Sequence, residues 1–133
     1  MSTTIGSAET GIATLVHGEE LRIGSGRTQK FEGADFGGAI SYFLVDNAPG
    51  EGPDLHRHPY PETWLVLEGE ARFTVGGEQF VAGAGDTATG PANVWHGFKN
   101  CGEGRLKILG IHAAPRVVQE EYADVVGEPA PEI

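Results

Sequence analysis

Three histidines and one glutamate fall in two segments of the chain at spacings that suit a single metal ion. His56 and His58 lie two residues apart, so on an extended strand both rings face the same side. Glu62 follows Pro59-Tyr60-Pro61, where the prolines forbid a regular helix and restrict the approach of the carboxylate. His96 comes much later and must arrive from another strand folded across the first. Three neutral imidazoles and one carboxylate would leave a divalent transition metal with a net charge of about +1. A six-coordinate ion would keep two positions for water, substrate or dioxygen.

Around this set, His112 stands out, because it ends a strand that follows His96. A cavity-facing imidazole there would act as a base or orient a ligand, and the competing reading is a structural histidine with satisfied hydrogen bonds. Glu62 doubles as a candidate proton acceptor. Trp64 and Val66 share the strand parity of Glu62. With Phe73 and Val75 on the next strand, and Phe98 at the parity of His96, they are expected to line the cavity and exclude water. Trp95 then faces the other way, toward a dimer contact. Arg57, between two histidines, should point out of the barrel toward an acidic partner. Tyr42 and Tyr60 are lesser candidates for a hydrogen bond to substrate, and His17 reads as ordinary surface.

The elements that must carry these groups are short strands. The chain has 133 residues, enough for one core, with 21 glycines and 8 prolines and few runs of helix formers. Residues 1–11, rich in Ser, Thr and Gly, read as a flexible leader; 12–127 read as a single domain and 128–133 as an irregular tail. Edge strands are expected at Ile12 to Val16 and Glu20 to Ile23, and a clear strand at Ala39 to Val45. Thr63 to Leu67 and Ala71 to Val75 flank the turn Glu68-Gly69-Glu70. Gly76-Gly77 then turns the chain into Glu78 to Val81. Thr87 to Thr89, Val94 to Phe98 and Arg105 to Ala113 complete an all-β pattern of antiparallel sandwich or barrel type. After Pro115, the spacing of Val118, Tyr122 and Val125 predicts a short C-terminal helix.

Here the chain resembles the cupin superfamily. The first cupin motif, G-x5-H-x-H-x3,4-E-x6-G, is met at Gly50, His56, His58, Glu62 and Gly69, and the second, G-x5-P-x-G-x2-H-x3-N, at Gly85, Pro91, His96 and Asn100. Asn93 stands where the second pattern has Gly; Asn is the other residue type best able to take a left-handed backbone, so the turn should survive. The resemblance covers residues 39–113 and implies a jelly-roll β-barrel of monocupin type. It also implies His56, His58, Glu62 and His96 as metal ligands and a homodimer. Four ligand-type residues at matched spacing favour this over unrelated structural histidines.

The formal charge of −10 repels phosphate backbones and anionic lipid, so neither nucleic acid nor membrane is an expected partner; a small-molecule substrate is. Cys101, the single cysteine, excludes an internal disulfide and a thiolate zinc cluster, and reads as half-buried beside a turn. The start of the chain lacks a signal-peptide pattern and no stretch reaches the ~20 apolar residues of a membrane helix, so a cytoplasmic protein is expected. Three functions fit the site. The first is a mononuclear dioxygenase, with Fe as the metal, acting on a small chelating organic molecule. The second is a non-redox isomerase, cyclase, lyase or decarboxylase using Mn, Ni, Co or Zn. The third is a non-catalytic small-ligand-binding protein.

Overall fold

The computed structural model describes residues 2–5 and 13–133. Along the chain run β1 (Ser2–Ile5), β2 (Ala13–Val16), β3 (Gln29–Glu32), β4 (Ser41–Asn47), β5 (His56–Arg57) and β6 (Glu62–Glu68). They are followed by β7 (Glu70–Val75), β8 (Glu78–Gly83), β9 (Thr87–Gly90), β10 (His96–Asn100), β11 (Leu106–His112) and β12 (Glu120–Glu121), and last by the helix α1 (Tyr122–Val126). Two five-stranded antiparallel sheets, in the orders β3-β4-β11-β6-β9 and β12-β5-β10-β7-β8, form a jelly-roll barrel; β1 and β2 pair separately.

Strict alternation builds the interior. In β6 the buried positions are Glu62, Trp64 and Val66, and in β11 they are Leu106, Ile108, Gly110 and His112. Trp64, Val66, Ala71, Phe73, Ala82, Phe98, Leu106 and Ile108 make one apolar cluster between the sheets. Burying side chains of this kind contributes about 1.5–3 kcal/mol each for the larger ones, which is what holds the two sheets together. Turn chemistry fixes the register: Gly76 and Gly77 close a two-residue hairpin with Val75 opposite Glu78. Gly69, at φ +83°, has room for no side chain, because a β-carbon there would collide with the Arg105 carbonyl. The residue standing in for glycine, Asn93, has φ +64°, the left-handed conformation expected of it.

Several expectations are corrected. Ser2–Ile5, in the segment read as a flexible leader, form β1 against β2, while residues 1 and 6–12 lie outside the described residues. Gly18–Leu21 makes a 3₁₀ turn where an edge strand was expected, and Arg22 only bridges to Gln29. The C-terminal helix begins at Tyr122, not near Pro115, because tertiary hydrogen bonds override the helical spacing. The N–H of Val118 donates to the Tyr60 hydroxyl (3.0 Å), its carbonyl accepts from His58, and Glu120–Glu121 pair with His56–Arg57. Gly127, at φ +80°, stops the helix after its five residues. Cys101 is exposed rather than half-buried. Among the described residues no helix is long and apolar enough to cross a membrane.

Candidate metal centre

The barrel brings together the four residues that the two segments offered. His56 lies on β5 directly opposite His96 on β10, Glu62 opens β6, and His58 sits in the bend between β5 and β6. All four are buried, and their ligand atoms lie within 4.8 Å of one another. That spread is close to the ~4.2 Å between opposite ligands placed ~2.1 Å from one ion. The left-handed turn at Asn93 clamps the two segments together, its N–H donating to the His58 carbonyl at 2.7 Å.

The hydrogen bonds around the cluster favour a cation at its centre. His56 Nδ1 donates to the Asp54 carbonyl (2.7 Å) and His58 Nδ1 to the Val118 carbonyl (3.1 Å), so in the neutral rings both Nε2 atoms carry bare lone pairs. Yet His58 Nε2 lies 2.8 Å from Glu62 Oε1 and 3.1 Å from His96 Nε2, and His96 Nε2 lies 3.2 Å from the same oxygen. Lone pairs face a carboxylate with too few protons between them, an arrangement that a divalent ion satisfies. His96 is positioned differently. Its Nδ1 is buried without a partner among the described residues, and the ring is set edge-on against Trp64 at 4.9 Å.

Burial opposes ionisation of Glu62, but contacts with His112, His58 and His96 outweigh it and hold the carboxyl well below the usual carboxylate range. Burial, with the neighbouring His96 adding to it, pushes His56 down to about 4, which keeps that ring neutral and ready to ligate. His112 reaches the cluster too, its Nε2 being 3.4 Å from Glu62 Oε2. Its Nδ1 is 2.7 Å from the Tyr60 hydroxyl, whose oxygen accepts from Val118; the phenol proton thus goes to Nδ1 and leaves the imidazole proton on Nε2, facing the carboxylate. Burial raises the Tyr60 phenol. Tyr60 serves His112, whereas Tyr42 stacks on Phe31 at 5.1 Å.

Residues 43–112 match the Cupin_2 family, the cupin domain. The chain belongs to this family. Lactobacillus farciminis oxalate decarboxylase, solved as a formate complex, superposes with a TM-score of 0.74 at 24% identity, over 86% of this cupin and 37% of that chain. Bacillus subtilis oxalate decarboxylase, a protein with Mn(II) centres, gives 0.70 at 24% identity, over 80% of this cupin and 30% of that chain. In sequence, the mannose-1-phosphate guanylyltransferase of Salmonella montevideo is 24% identical over 93 residues, 69% of this cupin. This cupin spans only 20% of that enzyme's length.

Beside the cluster this cupin has a cavity of about 260 Å³, which His56, Glu62 and His112 border. Trp64 and Phe98 line it as expected. Val66 and Phe73 belong instead to the packed core, and Val75 packs against that core. Phe43, Val45 and Asn47 of β4 complete the wall together with Ile108 of β11. These were missed because their strand reaches the site only through β11, a pairing across some sixty residues with no local signal. Gly110 is the other missed residue. A β-carbon there would sit 2.5 Å from Glu62 Oε2, so only glycine leaves space for the carboxylate. Arg57 points outward as expected, 3.0 Å from Glu120 and stacked over Trp95 at 4.3 Å. Trp95 also meets the ring of Tyr122 at 5.2 Å.

Proposed function

We propose that this cupin is a mononuclear metal enzyme acting on a small chelating organic molecule, with His56, His58, Glu62 and His96 holding one divalent ion. The observation that carries the reading is the buried three-histidine, one-glutamate cluster, two of whose rings have their ligating nitrogens bared by backbone carbonyls, at the wall of an apolar cavity. Such an ion supplies Lewis acidity and, in the case of iron, one-electron chemistry with dioxygen. The protein does the rest. Phe43, Trp64 and Phe98 keep water from the substrate's body. Glu62 Oε1 faces the ligand imidazoles while Oε2 faces His112, so the carboxylate is placed to take a proton from a substrate held beside it. His112, fixed by Tyr60, stabilises the carboxylate through its Nε2 proton.

A dioxygenase with iron is the first form of this reading. The likeness to oxalate decarboxylases, one of them with Mn(II) centres, favours a non-redox lyase or decarboxylase as the second. Elemental analysis of protein purified without chelator, alongside His96→Ala, tests the centre. Near-stoichiometric metal in the parent, lost in the variant, is the expected result; equal metal in both, or none after reconstitution, would overturn it. Oxygen uptake in step with substrate loss then selects the dioxygenase, and substrate loss without it the non-redox enzyme. We further propose a cytoplasmic homodimer, which a solution mass of twice the chain's would support.

A further inference from the structure

We propose that the substrate of this site is a slender apolar chelator bearing a single negative charge, such as the enolate of a diketone, and that dicarboxylates are poor ligands for it. The proposal rests on the metal-centre reading and is carried by charge balance inside the cavity. One divalent ion beside the Glu62 carboxylate leaves about one positive charge. A monoanionic chelate neutralises it, whereas a dianion leaves one negative charge in an apolar space without a counter-ion.

The walls offer that second charge nothing. Among the described residues lining the cavity there is no lysine or arginine, and the polar members away from the cluster, Thr28, Asn47 and Gln119, are neutral. Asn47, whose side-chain oxygen is buried with no hydrogen-bond partner among the described residues, offers a neutral amide there and no counter-charge. Three nearby cations are held by acids outside. Lys30, whose amine lies 5.9 Å from the Phe43 ring centre, pairs with Glu32 at 3.7 Å. Arg57 pairs with Glu120 and Arg116 with Asp35.

The shape agrees with the charge. Phe43, Val45 and Asn47 succeed one another on the inner face of β4, a wall about 13 Å long. At ~30 Å³ per water-sized group, a cavity of about 260 Å³ holds roughly nine such groups, so an occupant spanning that wall must be thin.

Calorimetric titration of the metal-loaded full chain with hexane-2,4-dione and with oxalate tests this. The enolate should bind at least about tenfold more tightly than oxalate, and Lys30→Ala should leave that ratio unchanged. Oxalate binding as tightly as the enolate, or an enolate affinity that depends on Lys30, would overturn the substrate class while leaving the metal centre standing. A parent chain that retains no metal would overturn the metal-centre reading instead, and this proposal with it.

Discussion

The inner face of the sheet β3-β4-β11-β6-β9 has two ends built on the same strands and the same parity, yet their chemistry is opposite. At one end Glu62, His112 and Ser41 lie side by side in register, all buried and all polar. Two and four residues along, the same rows read Trp64, Gly110 and Phe43, then Val66, Ile108 and Val45. The apolar end is satisfied by packing alone, while the polar end presents lone pairs and a carboxylate to one another across about 3 Å and needs a cation to become favourable. Fold stability therefore belongs to the apolar end and the candidate metal centre to the polar one.

The sharpest way to break that division is to damage the apolar end. Phe73, on β7 of the facing sheet, is fully buried against that end, with the rings of Trp64 and Phe98 at 5.2 and 5.4 Å. Phe73→Ala should cost about 3–5 kcal/mol in urea unfolding, while the folded fraction keeps its full metal stoichiometry. A loss of metal from protein that remains folded would show that the two ends are one unit.

Gly110 sits at the seam. An added methyl group would press on Glu62 Oε2 at 2.5 Å and on Trp64 at 3.3 Å. Gly110→Ala should cost about 1–3 kcal/mol by overpacking and lower metal affinity by about 10–100-fold as the carboxylate is displaced. Competition with a chelator dye measures the second effect. Unchanged affinity would mean that the carboxylate has another place to go.

Much of this was legible in the chain because it depends on local rules. Period-two alternation places Glu62 and Trp64 on one face of β6, motif spacing places His56 and His58 together, and Asn93 announces a left-handed turn through its residue type. What was not legible depends on distant partners. Strands β5 and β12 are two residues each, too short for any pattern, and exist only by pairing with one another and with β10. Val118 carries a helical spacing but its N–H and carbonyl are taken by Tyr60 and His58. The β4 wall and the need for glycine at 110 follow from which strands become neighbours, and sequence separation hides that.

Tyr60 tests whether hydrogen bonds behind the polar end matter as much as the ligands in it. Its hydroxyl is shared by Val118 and His112. Tyr60→Phe leaves both without that partner and should cost about 1 kcal/mol, with metal affinity falling roughly tenfold as His112 loosens its hold on Glu62. Preservation of affinity would make Tyr60 a packing residue only.

The smallest effect is expected on the outer face, one residue from either ligand. Arg57 lies between His56 and His58 in sequence, but alternation turns it outward, where it pairs with Glu120 and covers Trp95. Both partners are solvent-accessible, with side-chain exposures of 28% and 53%, so water screens the pair. Arg57→Ala should cost less than about 1 kcal/mol in unfolding and change metal affinity by less than about twofold. A tenfold fall in affinity would mean that the pair sets the position of β5 against β12, and through it the ligand rings. The boundary between stability and chemistry would then run along the strand itself rather than between its two ends.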